Sequence, residues 1–172
     1  MNSVAIVVVA LVAIERLVEL WYAQRNTRAL LEEGGVEVGG NHYPLIVALH
    51  AAWLIAILVT VPADAAASVP LLVLFGILQG VRAWVLLSLG RFWTTRVITV
   101  PGAPLVRRGP YRFLRHPNYV VVAAEIAVLP LAFGAWLVAI VFSALNAVLL
   151  AWRISVEDQA LAPRRQPSHT IP

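Results

Sequence analysis

Residues 107–119 read Arg107-Arg108-Gly109-Pro110-Tyr111-Arg112-Phe113-Leu114-Arg115-His116-Pro117-Asn118-Tyr119, a dense run of cations, aromatics and prolines in a chain otherwise built mostly of apolar stretches. Side chains of these kinds bind anions and planar cations: guanidinium groups pair with carboxylate or phosphate, and aromatic faces attract positive charge. Pro117 suits the first residue of a helix, where its missing N–H is not needed, so the amides of Asn118 and Tyr119 are expected to be open donors at a positive dipole end. An anionic group fits such a place. The competing reading is a basic anchor on the membrane surface.

A second constellation lies downstream. Arg153 and Glu157 are four residues apart and share a helix face, with Asp158 next to them. They are expected at the same membrane depth as the first patch, because one helical hairpin separates the two. Ionisable residues inside the apolar runs are the remaining candidates, with structural pairing as their alternative role. Glu15 and Glu19 share one face, as do Gln79 and Arg82. Glu125, eight residues beyond Pro117, either accepts the proton of a phenol or enol or neutralises Arg82. His50 is either a hydrogen-bonded core residue or a base. Trp21, Trp53, Trp84, Trp93, Trp136 and Trp152 read mainly as interfacial belt residues.

The elements that must position these groups follow from composition. The chain has 172 residues, of which 60% are hydrophobic and 13% charged, and a mean hydropathy of +0.82, outside the range of soluble domains. We expect an all-α polytopic membrane protein forming a single domain, with spans at about 3–22, 44–61, 69–89, 118–131 and 134–152, each near the roughly 20 residues that cross a bilayer. Leu129-Pro130-Leu131-Ala132-Phe133-Gly134 is too short and apolar for an external loop and predicts a tight helical hairpin. The first apolar run lacks a basic leader and a small-residue cleavage site, so it reads as a retained span. Between spans one and two, a short amphipathic helix through Leu31 gives way to Gly34-Gly35-Val36-Glu37-Val38-Gly39-Gly40, read as a flexible ligand-approaching loop or a turn-rich connector. Thr95–Val100, β-branched and followed by Pro101-Gly102, suggests a short extended excursion under the membrane.

All 13 basic residues are arginine, and the net charge is +4. They cluster between apolar runs without a nucleic-acid-binding motif, so membrane-surface charge explains them and nucleic acid is not an expected partner. With Arg25 and Arg28 after span one, Arg91 to Arg115 between spans three and four, Arg153, Arg164 and Arg165 after span five, and none from Pro62 to Pro70, the N-terminus is expected outside and the C-terminus and polar patch inside a bacterial cytoplasmic membrane. There is no cysteine for disulfides or thiolate metal ligands, and no metal is expected.

Gly109-Pro110-Tyr111, then Arg115-His116-Pro117-Asn118-Tyr119, one helical hairpin, and Arg153 with Glu157-Asp158 together resemble the C-terminal signature of the isoprenylcysteine carboxyl methyltransferase family. Gly34-Gly35-Val36-Glu37, His42-Tyr43-Pro44 and His50 are similar to a small bacterial branch associated with type III polyketide synthases, whose members O-methylate alkylpyrones or alkylresorcinols. The resemblance implies S-adenosylmethionine as cofactor, held at the cytoplasmic ends of the last two helices without a Rossmann domain. It places His116, Pro117 and Tyr119 in the cofactor pocket, has Glu157 hold the cofactor's polar groups, and turns Arg153 toward the methyl acceptor. Tyr111, Arg115, Asn118 and Asp158 belong to the same motif segments and join the cofactor set. Two departures are Glu157-Asp158 in place of a Glu-Glu pair, and Ala162-Pro163-Arg164-Arg165-Gln166-Pro167 where the family continues with an aromatic-rich segment. The expected activity is methyl transfer to an oxygen of a lipophilic acceptor dissolved in the lipid bilayer. The alternatives are carboxyl methylation of a prenylated thiol compound, a nicotinamide-dependent membrane reductase, and a non-catalytic membrane scaffold with an enzyme-like core.

Overall fold

A computed structural model describes residues 2–40 and 43–165; His42 of the resemblance and the segment from Gln166 onward lie outside them. Five helices carry the chain: α1 (Ser3–Glu32), α2 (Tyr43–Thr60), α3 (Val69–Leu89), α4 (Pro117–Ala132) and α5 (Trp136–Arg165). Long apolar runs leave helix as the backbone form that satisfies its own hydrogen bonds in lipid. The ends follow local chemistry. Asn2 caps α1, its side-chain oxygen accepting from the Ala5 amide at 3.0 Å, and α4 starts at Pro117.

The architecture is that of an all-α membrane protein. Helices α2, α3 and α5 are long and apolar enough to cross a bilayer. In α1, Glu15, Arg16 and Glu19 interrupt the apolar stretch, and α4 has 16 residues, fewer than a perpendicular crossing needs. Two helices run on beyond the expected spans. α1 continues through the amphipathic segment to Glu32, and α5 continues past residue 152 to Arg165, through Pro163.

The α4–α5 hairpin forms as expected. Gly134 adopts φ 71°, and the Ala135 amide reaches back to the Pro130 carbonyl at 2.9 Å, so the chain reverses within a few residues. Beneath the hairpin lies the main core, in which Trp53 and Ile57 of α2, Phe75 of α3 and Val122, Ile126 and Leu129 of α4 pack together. The Trp53 indole donates to the Ile126 carbonyl at 3.2 Å. Trp53 and Trp93 are therefore core residues and not belt residues, a correction to the sequence expectation; Trp21, Trp84, Trp136 and Trp152 are exposed as expected.

A polar layer crosses the helix assembly. Arg82 of α3 is 6% exposed and donates from Nε and Nη2 to Glu19 of α1 at 2.5 and 2.6 Å, and from Nη1 to Glu125 of α4 at 3.2 Å. Arg16 bridges the same carboxylates at 2.9 and 3.1 Å, and Gln79 donates to Glu125 at 3.0 Å. Each buried charge thus has an opposite partner, without which its removal from water would cost several kcal/mol.

The glycine-rich segment, expected as a flexible loop or a turn-rich connector, is instead partly ordered as a strand. β1 (Val36–Val38) pairs antiparallel with β2 (Val97–Thr99), Glu37 opposite Ile98. The extended excursion expected at Thr95–Val100 supplies the partner. Arg96 holds Glu37 at 2.9 Å and Arg91 holds Glu33 at 2.6 Å, tying the two connections together.

Candidate functional site

Three stretches meet at the end of the helices opposite the tight hairpin: the first turn of α4, the last turns of α5 and the segment that joins α3 to α4. Gly109 is what lets the joining segment come so close. Its φ is +57°, and a Cβ there would lie 2.0 Å from Ser88 Oγ and 3.2 Å from Trp84 Nε1 of α3. Only glycine fits both the conformation and the gap. Arg108 fastens the same point by donating Nε to the Ser88 carbonyl at 2.7 Å.

A connected set of side chains spans α4 and α5. Arg153 donates Nε to the Tyr119 hydroxyl at 2.8 Å, its guanidinium carbon lying 5.7 Å from the ring centre, and that hydroxyl donates to Glu157. The His116 ring stacks on Tyr119 at 5.3 Å and 18°. Its Nδ1 lies 3.5 Å from Glu157 and its Nε2 3.2 Å from Asp158. The hydrogen bond to Glu157 chiefly raises the His116 pKa against its partial burial, with the charges of Glu157 and Asp158 adding to it, so the imidazolium is favoured. Burial first, and the Glu157 charge second, push the Tyr111 phenol up, so it remains a neutral donor at physiological pH.

These groups open onto a cavity of about 490 Å³, the size of small-molecule sites. Tyr111, Arg115, His116, Asn118, Tyr119, Arg153 and Glu157 line it. Asp158 reaches it through His116, and Pro117 is buried as the start of α4. One expectation fails in part: the Tyr119 amide donates to the His116 carbonyl at 3.1 Å, so it is not open to a ligand. The Asn118 Oδ1, in contrast, is buried without a hydrogen-bond partner, an acceptor that a bound donor would satisfy.

Glu125 and His50 are not brought to this cavity. Glu125 lies in the polar layer with Arg16, Gln79 and Arg82, and His50 donates Nδ1–H to the Ile46 carbonyl one turn back at 2.8 Å, with Trp53 edge-on at 6.5 Å. Sequence reasoning missed part of the cavity wall, namely Trp93, Arg96, Val97 and Ile98. The β-branched run at residues 95–100 was the available signal, but nothing in it tells which surface a three-residue strand will cover. Among the described residues no group of His, Asp and Glu is placed to hold a metal ion.

The profile of the isoprenylcysteine carboxyl methyltransferase (ICMT) family matches residues 70–163, a stretch that holds α4, α5 up to Pro163 and the whole Arg153–Tyr119–Glu157 chain. The chain is 36% identical over 159 residues to the "Uncharacterized protein YpbQ" of Bacillus subtilis, covering 89% of this chain and 94% of that protein. An "Uncharacterized protein" of Haemophilus influenzae is 24% identical over 153 residues, 86% of this chain and 88% of that one. No solved structure matches the chain.

Proposed function

The chain belongs to the isoprenylcysteine carboxyl methyltransferase family, and from that premise we propose that it transfers the methyl of S-adenosylmethionine to an oxygen of a lipophilic acceptor, such as an alkylpyrone or alkylresorcinol. The observation that carries this reading is the Arg153–Tyr119–Glu157 chain at the wall of a cavity whose remaining lining mixes aromatic and cationic side chains with aliphatic ones.

The side chains present fit the cofactor. When bound, S-adenosylmethionine supplies an electrophilic methyl on a sulfonium. Tyr111, His116 and Tyr119 offer ring faces and Glu157 a carboxylate for positive charge, Arg115 a guanidinium for a carboxylate, and Asn118 an unfilled acceptor for an amine. Asp158 holds His116 in place. Arg153, already oriented by Tyr119, directs the acceptor oxygen. Glu157, the carboxylate in the cavity wall, would take the proton of the acceptor oxygen that Arg153 holds toward that methyl. Holding the reacting atoms in line lowers the barrier by converting an encounter into a step within one complex.

In this reading all five helices cross the membrane, with the N-terminus outside and the cavity on the cytoplasmic side. The acceptor's tail enters from the bilayer, and the zwitterionic cofactor from water. The test is an assay of membranes containing the full chain with methyl-labelled S-adenosylmethionine and either an alkylresorcinol or a prenylated thiol acid. Label in an organic-soluble product that resists alkali is expected, because an ether survives base. Alkali-labile label would indicate a methyl ester and carboxyl methylation, and no label with either acceptor would refute methyl transfer to these classes.

A further inference from the structure

Part of the joining segment points away from the cavity and is left unused by it. Arg112 and Phe113 do not line the cavity, yet Phe113 is 78% exposed and its neighbour Leu114 48%. Among the described residues neither Arg107 nor Arg112 has a carboxylate within ion-pair distance, and both are exposed, as is Arg108. The depth of this strip is set by the packing of Gly109 against Ser88 and Trp84, in the last two turns of α3, a helix long and apolar enough to span the bilayer. Trp84, half exposed there, has the side chain that favours the headgroup level. A protruding phenyl ring beside unpaired guanidinium groups at that depth matches a leaflet of apolar tails capped by phosphate.

We propose that the outer face of residues 107–114 binds anionic phospholipid headgroups, Phe113 and Leu114 seated among the first tail carbons and Arg107, Arg108 and Arg112 on the phosphates. The lipid would form a collar at the rim of the cavity, since Arg107 and Leu114 also line it. The inference does not rest on the methyl-transfer reading, because it is argued from the exposure and charge of the strip and not from what the cavity binds.

The experiment is spin-label electron paramagnetic resonance on the full chain reconstituted in phosphatidylcholine, measuring the relative association of spin-labelled phosphatidylglycerol and phosphatidylcholine at the protein surface. Preference for phosphatidylglycerol is expected, decreasing with salt, and Arg112→Gln is expected to lower it by about fivefold, the effect of one arginine at an anionic surface. Phe113→Ser is expected to weaken association of both lipids without changing their ratio, with S-adenosylhomocysteine affinity unchanged in both variants. Equal association of the two lipids, or a preference untouched by Arg112→Gln, would overturn the proposal. Displacement of the labelled lipid by inorganic phosphate would also overturn it, by showing a site for free anions rather than for a lipid surface.

Discussion

Arg153 donates its Nε to the Tyr119 hydroxyl at 2.8 Å, joining α5 to the first turn of α4 through an oxygen that also donates to Glu157. Removing that oxygen separates the two charged groups without emptying the cavity. Tyr119→Phe is therefore expected to lower kcat/KM by roughly tenfold to a hundredfold, the equivalent of about 1–3 kcal/mol for hydrogen bonds to charged groups. Steady-state kinetics on purified protein checks this, and wild-type turnover in Tyr119→Phe would show that the link is only structural.

His116 gives a pH dependence whose sign is fixed by its partners. Its folded pKa is raised above the ordinary 6.5 by Glu157 and Asp158. The stabilisation from the pairing is then fully present below the unfolded value and lost as pH rises through the folded one. The Tm of wild type should fall relative to that of His116→Gln as pH is taken upward from the ordinary histidine range, with the difference levelling off below it. A difference that shrinks as pH falls into that range would contradict the pairing.

Glu125 tests whether the polar layer is architecture. Because Arg16, Gln79 and Arg82 all contact it and it stands outside the cavity wall, Glu125→Gln is expected to destabilise the detergent-solubilised protein by about 1–3 kcal/mol while turnover per folded molecule stays near wild type. Arg82→Leu, which leaves Arg16 as the one cation among the described residues bridging the Glu19 and Glu125 carboxylates, should cost about 3–5 kcal/mol. Thermal denaturation beside activity separates the two roles. A Gln variant that is stable but loses about 10²- to 10⁴-fold in turnover would make Glu125 the general base after all.

Gly109 lets the joining segment sit against α3. Gly109→Ala would press a methyl group on Ser88 Oγ and hold alanine at a positive φ, so a loss of about 1–3 kcal/mol in stability is expected, with weaker cofactor binding as the segment lifts. Calorimetric affinity together with Tm would check both effects.

How far the sequence could be read depended on the kind of signal. The helices were legible because an apolar run of about 20 residues has few alternatives in a membrane, and the Arg153–Glu157 face because helical spacing fixes it. The fifth helix runs on from the expected span end at residue 152 to Arg165, since loss of hydropathy marks where lipid ends and not where backbone hydrogen bonding ends. β1 was hidden by its glycines: only pairing with Val97–Thr99, some 60 positions away, makes Val36–Val38 a strand. Arg82 and Glu125 suggested each other by sign and depth, but the share of Glu19 and Arg16 in the same layer depends on how α1 is rotated, which periodicity in so apolar a helix leaves open. The closeness of residue 109 to Ser88 had no local signal beyond the glycine itself.

Binding of S-adenosylmethionine in the cavity beneath Tyr119 is checked by isothermal titration of the purified full chain with S-adenosylhomocysteine. Saturable one-site binding is predicted, weakened by about 1–3 kcal/mol in Glu157→Ala and in His116→Ala, with their folding in detergent intact. Folded wild-type protein that takes up no S-adenosylhomocysteine, or two variants that bind it as tightly as wild type, would contradict the account.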